Sequence, residues 1–285
     1  MIAALDITFF AGFALFALAG ALAYLYVRRE SPPMLAAVYR VLSVGAAALL
    51  IVFLLRWLMF GLIPLTTPVD ALNLLILLST FIVLALARQG SVRTLLCFYA
   101  PALLVVYGCN AVAGYGQLHS EPKELNGLFL VIHVGLAFLA YALFFVASLT
   151  SMAYIIQSRS LKRLRTTGIA SKLPALEHLD GTLYRLIQYG YPFFVITLVL
   201  GLIGTVRFSE ELDPDWWFSP KILRAVFSAL MVILYAAAYH TRRIGWLRGQ
   251  KLAYLVLIGS SIILGMYMLV GLAGVEGYRF WGKSA

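Results

Sequence analysis

Charge is what this chain has least of. Charged residues make up 12% of its 285 residues and hydrophobic ones 62%, whereas a soluble domain carries roughly 25% charged residues. The shortage excludes a soluble globular protein. Apolar runs of 19 to 30 residues recur along the whole length, as a hydrocarbon core of about 30 Å demands of helices rising about 1.5 Å per residue. No stretch is left over for a soluble domain.

Cysteine is equally scarce. Cys97 and Cys109 lie twelve apart in one apolar run, without CxxC or metal-ligand spacing, so they read as small packed hydrophobes with no redox role. Neither a phosphate-cradling glycine loop nor a Ser-His-Asp arrangement is present, although short patterns such as GYG at 114–116 occur in loops. Nothing supports energy-coupled transport by this chain alone. The N-terminal MIAALDITFF lacks a basic flank and carries Asp6, so it reads as the first span and not as a cleaved signal peptide.

What is present is a series of eight expected spans, near residues 5–27, 36–57, 69–87, 94–113, 127–157, 184–206, 221–240 and 252–274. The second has Arg40 and Arg56 near its ends, which must snorkel or face the bundle. With the N-terminus outside, thirteen Lys and Arg residues fall in inner loops and five in outer segments, the asymmetry the positive-inside rule expects. Both termini are then expected outside. The net charge of +10 is spread over inner loops facing anionic lipid, so no nucleic-acid partner is expected.

Between the basic loop SRSLKRLRTTGIASK and the sixth span, LPALEHLDGTLYRLI places Leu176, Leu179, Leu183 and Leu186 three and four residues apart. This predicts an interfacial amphipathic helix, a membrane-surface anchor or a docking face for a cytoplasmic partner.

Four histidines differ in depth. His133 lies two turns inside the outer end of span five, His240 at the inner end of span seven, His119 in an outer loop and His178 in the amphipathic stretch. An ionisable side chain within a span is a candidate for function because its burial must be offset by a partner or ligand, and neutral imidazole is a common haem-iron ligand. A histidine hydrogen-bonded to a neighbouring carbonyl satisfies the same positions. The outer loop DPDWWFSPK, residues 213–221, is open to two readings as well. Trp216 and Trp217 serve either as an interfacial aromatic belt or as a flat apolar platform with indole N–H donors.

Several stretches, in order, carry a family resemblance. VIHVGLAFLAYALFFVAS resembles the segment that opens a span in the cytochrome c assembly (CcsA/CcmC) family of membrane haem-handling proteins, and LPALEHLDGTLYRLIQYGYPFFVITLVLGLIGTVRF is similar to that family's next block. WWFSPK takes the place of its tryptophan-rich motif, and YAAAYHTRRIGWLRGQKLA resembles its YLHTR stretch with a following Gly-Trp-Arg-Gly loop. The resemblance covers residues 70–279 and lies nearer the short HemX-like branch than the full synthases.

The resemblance implies a tryptophan-loop platform for haem b on the outer face, with outer histidines holding the iron. His133 matches the first of these, and His240 a histidine deep in the membrane. The second outer histidine falls on Glu276, and the end of the tryptophan motif on Phe218 and Ser219, while Trp216, Pro220 and Lys221 are kept. These departures imply one firm axial ligand, His133, with Glu276 at most a weaker one, and a chain that does not complete haem attachment by itself. Implied partners are apocytochrome and a second cytochrome c assembly membrane protein with an outer domain.

The expected protein is thus an all-α, polytopic helix bundle of about eight transmembrane helices in a bacterial cytoplasmic membrane. It forms one membrane domain over 1–285 and handles haem. A cofactor-free scaffold or regulator is the alternative. A small-solute transporter fits less well, since no repeat and no mid-span acid is visible.

Overall fold

In hydrocarbon no water is available to a backbone N–H or C=O, so each must be paired within the protein, and an α-helix does this inside one segment. The computed structural model describes residues 1–65, 67–121, 128–164, 168–207, 229, 236 and 248–272, and among these there is no strand. The helices are α1 (Ile2–Arg29), α2 (Pro32–Phe60), α3 (Pro68–Ala87), α4 (Leu96–Gly114), α5 (Leu128–Lys162), α6 (Leu176–Arg207) and α7 (Gln250–Leu272). Short 3₁₀ turns at Gly90–Leu95, Tyr115–Gln117 and Gly168–Lys172 lie between them.

Six segments are long and apolar enough to cross a membrane: Ile2–Arg29, Pro32–Phe60, Pro68–Ala87, Gly90–Val112, Val131–Lys162 and Leu176–Gly204. They coincide with the first six expected spans, and α7 coincides with the last. The span expected at 221–240 lies outside the described residues. The chain is a multi-pass membrane helix bundle.

Helix ends are set by local chemistry. Pro32 and Pro68 open α2 and α3 at positions where the missing N–H costs nothing. Gly61 ends α2 with φ +68, its N–H returning to the Trp57 carbonyl, a left-handed cap that glycine adopts without strain.

Two groups of helices meet at α3. α1 packs on α2 and α4, α5 packs on α6 and α7, and α3 touches α2, α4 and α5. Small residues let the first group close up, as is usual between membrane helices. A Cβ at Gly12 would stand 2.6 Å from the Tyr107 hydroxyl, and one at Gly45 2.9 Å from the Phe16 ring. The Tyr107 hydroxyl donates to the Phe9 carbonyl at 2.8 Å.

The ends of the bundle differ in charge. At the end holding Met1, the N-terminal side, lie the α2–α3 turn, the 3₁₀ turn after α4, the start of α5 and the end of α6. The opposite, basic side carries Arg28, Arg29, Arg88, Arg93, Arg159, Lys162, Arg163, Lys172, Arg248 and Lys251. There Lys172 pairs with Glu30, Lys162 donates to Gln250 at 2.8 Å and Arg159 to the Tyr254 hydroxyl at 2.8 Å.

Two expectations need correction. The amphipathic stretch from Leu176 is not a separate interfacial helix but the first turns of α6, which runs unbroken through Pro192. Its leucine face is turned inward, with Leu179 and Leu183 fully buried and Leu186 nearly so, because the helices beside it cover more apolar area than a headgroup layer would. The two cysteines also part company: Cys97 is buried in the core, whereas Cys109 is exposed.

Candidate functional site

The α5–α6 pair builds the surroundings of His133. The helices run antiparallel, and glycines on α6 receive large side chains from α5. A Cβ at Gly190 would stand 2.9 Å from the Phe144 ring, one at Gly201 3.1 Å from His133 Cε1, and one at Gly204 3.2 Å from the Phe129 ring. Phe144 also meets Phe194 edge-on, centroids 5.2 Å apart. The spacing of the three glycines keeps them on one face of α6, a flat track that aromatic and imidazole rings lie against.

His133 sits five residues past the start of α5 at Leu128, about 7 Å along the axis toward the bundle. It is half-buried, at the N-terminal side of the bundle. Thr197 lies one turn before Gly201 on the same α6 face, and its Oγ1 is buried with no hydrogen-bond partner among the described residues. A half-buried imidazole on the glycine face of α6, with an unpaired buried hydroxyl one turn deeper on that face, fits the chemistry of a site for a flat ligand that takes nitrogen ligation and brings polar substituents. Haem is such a ligand.

A second polar constellation lies on the same side. Arg56 is fully buried, and its Nε stands 2.5 Å from Asp70 Oδ1, an ion-pair approach without hydrogen-bond alignment, since Nε has no hydrogen-bond partner. Its Nη2 donates to Asp70 Oδ2 and to the Ser120 carbonyl, each at 3.0 Å, and Nη1 donates to the Leu118 carbonyl. Asp70 is 2% exposed and takes a 2.5 Å hydrogen bond from the Thr67 hydroxyl. One guanidinium thus joins the ends of α2 and α3 to the turn after α4. Of the two options open to Arg56, it faces the bundle.

Beside this pair, His119 Nε2 lies 3.1 Å from Asp6 Oδ1, and the Tyr115 hydroxyl donates to the same oxygen at 3.4 Å. Burial, and then the Asp6 charge, hold the Tyr115 phenol above its ordinary range, so it stays a proton donor. Deeper, Asn110 Nδ2 donates to Asn73 Oδ1 at 2.9 Å, both side chains buried.

Of the haem-site residues that the resemblance implies, His133 is described. Trp216, Trp217, Pro220, Lys221, His240 and Glu276 lie outside the described residues. His178 is exposed on the first turn of α6. Among the described residues no cluster of three or more His, Cys, Asp or Glu could hold a metal ion, and a haem iron needs only axial donors from the protein. Sequence reasoning missed Asp70, Thr197 and Gly201. Asp70 carried a signal: Thr67-Pro68-Val69-Asp70 has the Thr-x-x-acid spacing of a helix start, and a buried Arg56 requires an acid. Thr197 and Gly201 carried none, because which α6 face meets α5 is a tertiary fact.

Comparison with known proteins bears on this arrangement. The sequence profile of the family described as "Cytochrome C assembly protein" matches residues 10–275, and so takes in α1 and α2. The cytochrome c biogenesis protein CcsA of Synechococcus sp. (strain CC9605) is 29% identical, the alignment covering 93% of each chain. That of Chlamydomonas reinhardtii is 29% identical over 85% of this chain and 67% of its own length. Protein HemX of Bacillus subtilis (strain 168) is 31% identical over 55% of this chain and 54% of its own. No solved structure gives a significant match. With a profile match over nearly its whole length, this chain belongs to the cytochrome c assembly protein family.

Proposed function

We propose that the protein acts in cytochrome c biogenesis as a haem-handling membrane protein, holding haem b at the N-terminal side of the bundle and presenting it to apocytochrome on the outer face of a bacterial cytoplasmic membrane. The observation that carries this reading is His133, the one motif histidine among the described residues, half-buried on the glycine face of α6 in a chain of this family. When bound, haem would supply the iron porphyrin that is handed on to a partner. The protein's own residues do the rest.

In this reading His133 donates an imidazole nitrogen to the iron. Gly201 fixes how closely the ring lies on α6, and the Thr197 hydroxyl offers a hydrogen bond to a polar substituent or a water molecule. Trp216 and Trp217 would offer flat apolar area to the porphyrin, with Pro220 kept at the end of the same motif, and Lys221 would pair with a propionate. In the sequence motif Glu276 takes the place of the family's second outer histidine and would be a weaker oxygen donor, and His240 would hold haem on its way outward. A second assembly protein with an outer domain completes the attachment that this chain does not perform alone.

Oxidised and reduced absorption spectra of the purified protein, with haem quantified by extraction, test the reading. It expects a Soret band that His133→Ala removes.

A second reading is favoured by the match to HemX and by Glu276, Phe218 and Ser219 in place of motif residues. In it the protein is a cofactor-free scaffold or regulator of haem or cytochrome assembly. It expects no haem after reconstitution and normal function in His133→Ala.

A further inference from the structure

On the basic side several cations each have a partner to themselves, such as Lys172 on Glu30, Lys162 on Gln250 and Arg159 on Tyr254. Arg88 and Arg93 differ. They share one tyrosine: Arg88 Nε donates to the Tyr39 hydroxyl at 3.3 Å, and the Arg93 guanidinium lies 5.9 Å from the Tyr39 ring centroid. Arg93 Nε is buried with no hydrogen-bond partner, and among the described residues no carboxylate forms an ion pair with either arginine. Between them opens a bay of about 280 Å³, lined by Tyr39, Ala87, Arg88, Gly90 and Arg93.

Two guanidinium groups held near one ring repel each other unless an anion lies between them, and their planar donor forks suit phosphate oxygens. The bay is walled by α2 and by the end of α3, both span-forming helices, so an anion entering it sits at the border of the hydrocarbon. Lipid phosphate occupies that layer at high local concentration, and tyrosine favours the same depth. We infer that the Tyr39–Arg88–Arg93 bay binds the phosphate of an anionic lipid headgroup. Arg93, anchored by the buried Val92 and Leu95 around it, is the fixed half of the clamp. The exposed Arg88, oriented by the Tyr39 hydroxyl, is the half that closes.

The test uses the delipidated full-length protein in detergent, titrated with phosphatidylglycerol, phosphatidylcholine or inorganic phosphate and read by native mass spectrometry. Phosphatidylglycerol should give one saturable adduct that phosphatidylcholine does not. With roughly fivefold in affinity per basic residue, Arg88→Gln/Arg93→Gln should weaken it more than tenfold. Arg29→Gln/Arg163→Gln removes the same charge from the same side and should change it less than about twofold if the contact is local. Tyr39→Phe, which keeps both charges, should weaken it by an intermediate factor. Equal losses in the two double variants would reduce the effect to diffuse charge and overturn the proposal. So would inorganic phosphate binding as tightly as the lipid, which would make the ligand a soluble anion. The outcome does not depend on whether haem is bound.

Discussion

At Gly201 a methyl group would stand 3.1 Å from His133 Cε1, which the ring can meet by giving a few tenths of an ångström, whereas a side chain as large as leucine requires the ring to turn or α5 to move off α6. Gly204 is a built-in control, because a Cβ there would press on Phe129 at 3.2 Å and not on the histidine. Overpacking of this kind costs about 1–3 kcal/mol, so Gly201→Leu and Gly204→Leu should lower the thermal midpoint by similar amounts. Only Gly201→Leu should cut haem retained through purification by about half or more, if ligation needs the packed pose. Equal haem retention in the two variants would remove Gly201 from the site. At this scale the sequence is informative about one partner only. His133 stands out as an ionisable group in an apolar run, but Gly201 and Thr197 look like ordinary residues of a span until the α5–α6 pairing is known.

The elements are held at the N-terminal side by the Arg56–Asp70 pair, which ties α2, α3 and the turn after α4 together. Removing one partner leaves a buried charge alone, at a cost of about 3–5 kcal/mol, whereas replacing both by apolar residues of similar volume is often neutral. Asp70→Ala should therefore unfold at much lower temperature in detergent, and Arg56→Met/Asp70→Leu should recover most of the loss. A double variant no better than Asp70→Ala would mean that the Leu118 and Ser120 carbonyls, not the charge pair, depend on Arg56. Span positions were legible because apolar length is local. The inward turn of the α6 leucines was not, since a three-and-four spacing gives the same amphipathic face whether a headgroup layer or a helix covers it. Arg56 was legible as a problem, but its pairing with Asp70 across the α2–α3 turn needed the fold.

For the whole molecule the basic residues gathered at one end set the expected orientation, with Met1 outside. Alkaline phosphatase fused after Ser120 should be active, and fused after Lys162 inactive. The reverse pattern would put the His133 end in the cytoplasm and remove outward presentation from the account. The family could be read from the ordered motifs, and the profile match over residues 10–275 agrees with that reading. The tryptophan loop, His240 and Glu276 remain sequence-based proposals, because they lie outside the described residues. The central claim, haem ligation by His133, meets its most direct test in reduced-minus-oxidised difference spectra with extracted haem counted per chain, for the native protein, His133→Ala and His119→Ala. The account predicts near-stoichiometric haem in the native protein and His119→Ala, and its loss in His133→Ala; undiminished haem in His133→Ala, or none in any sample after reconstitution, would contradict it.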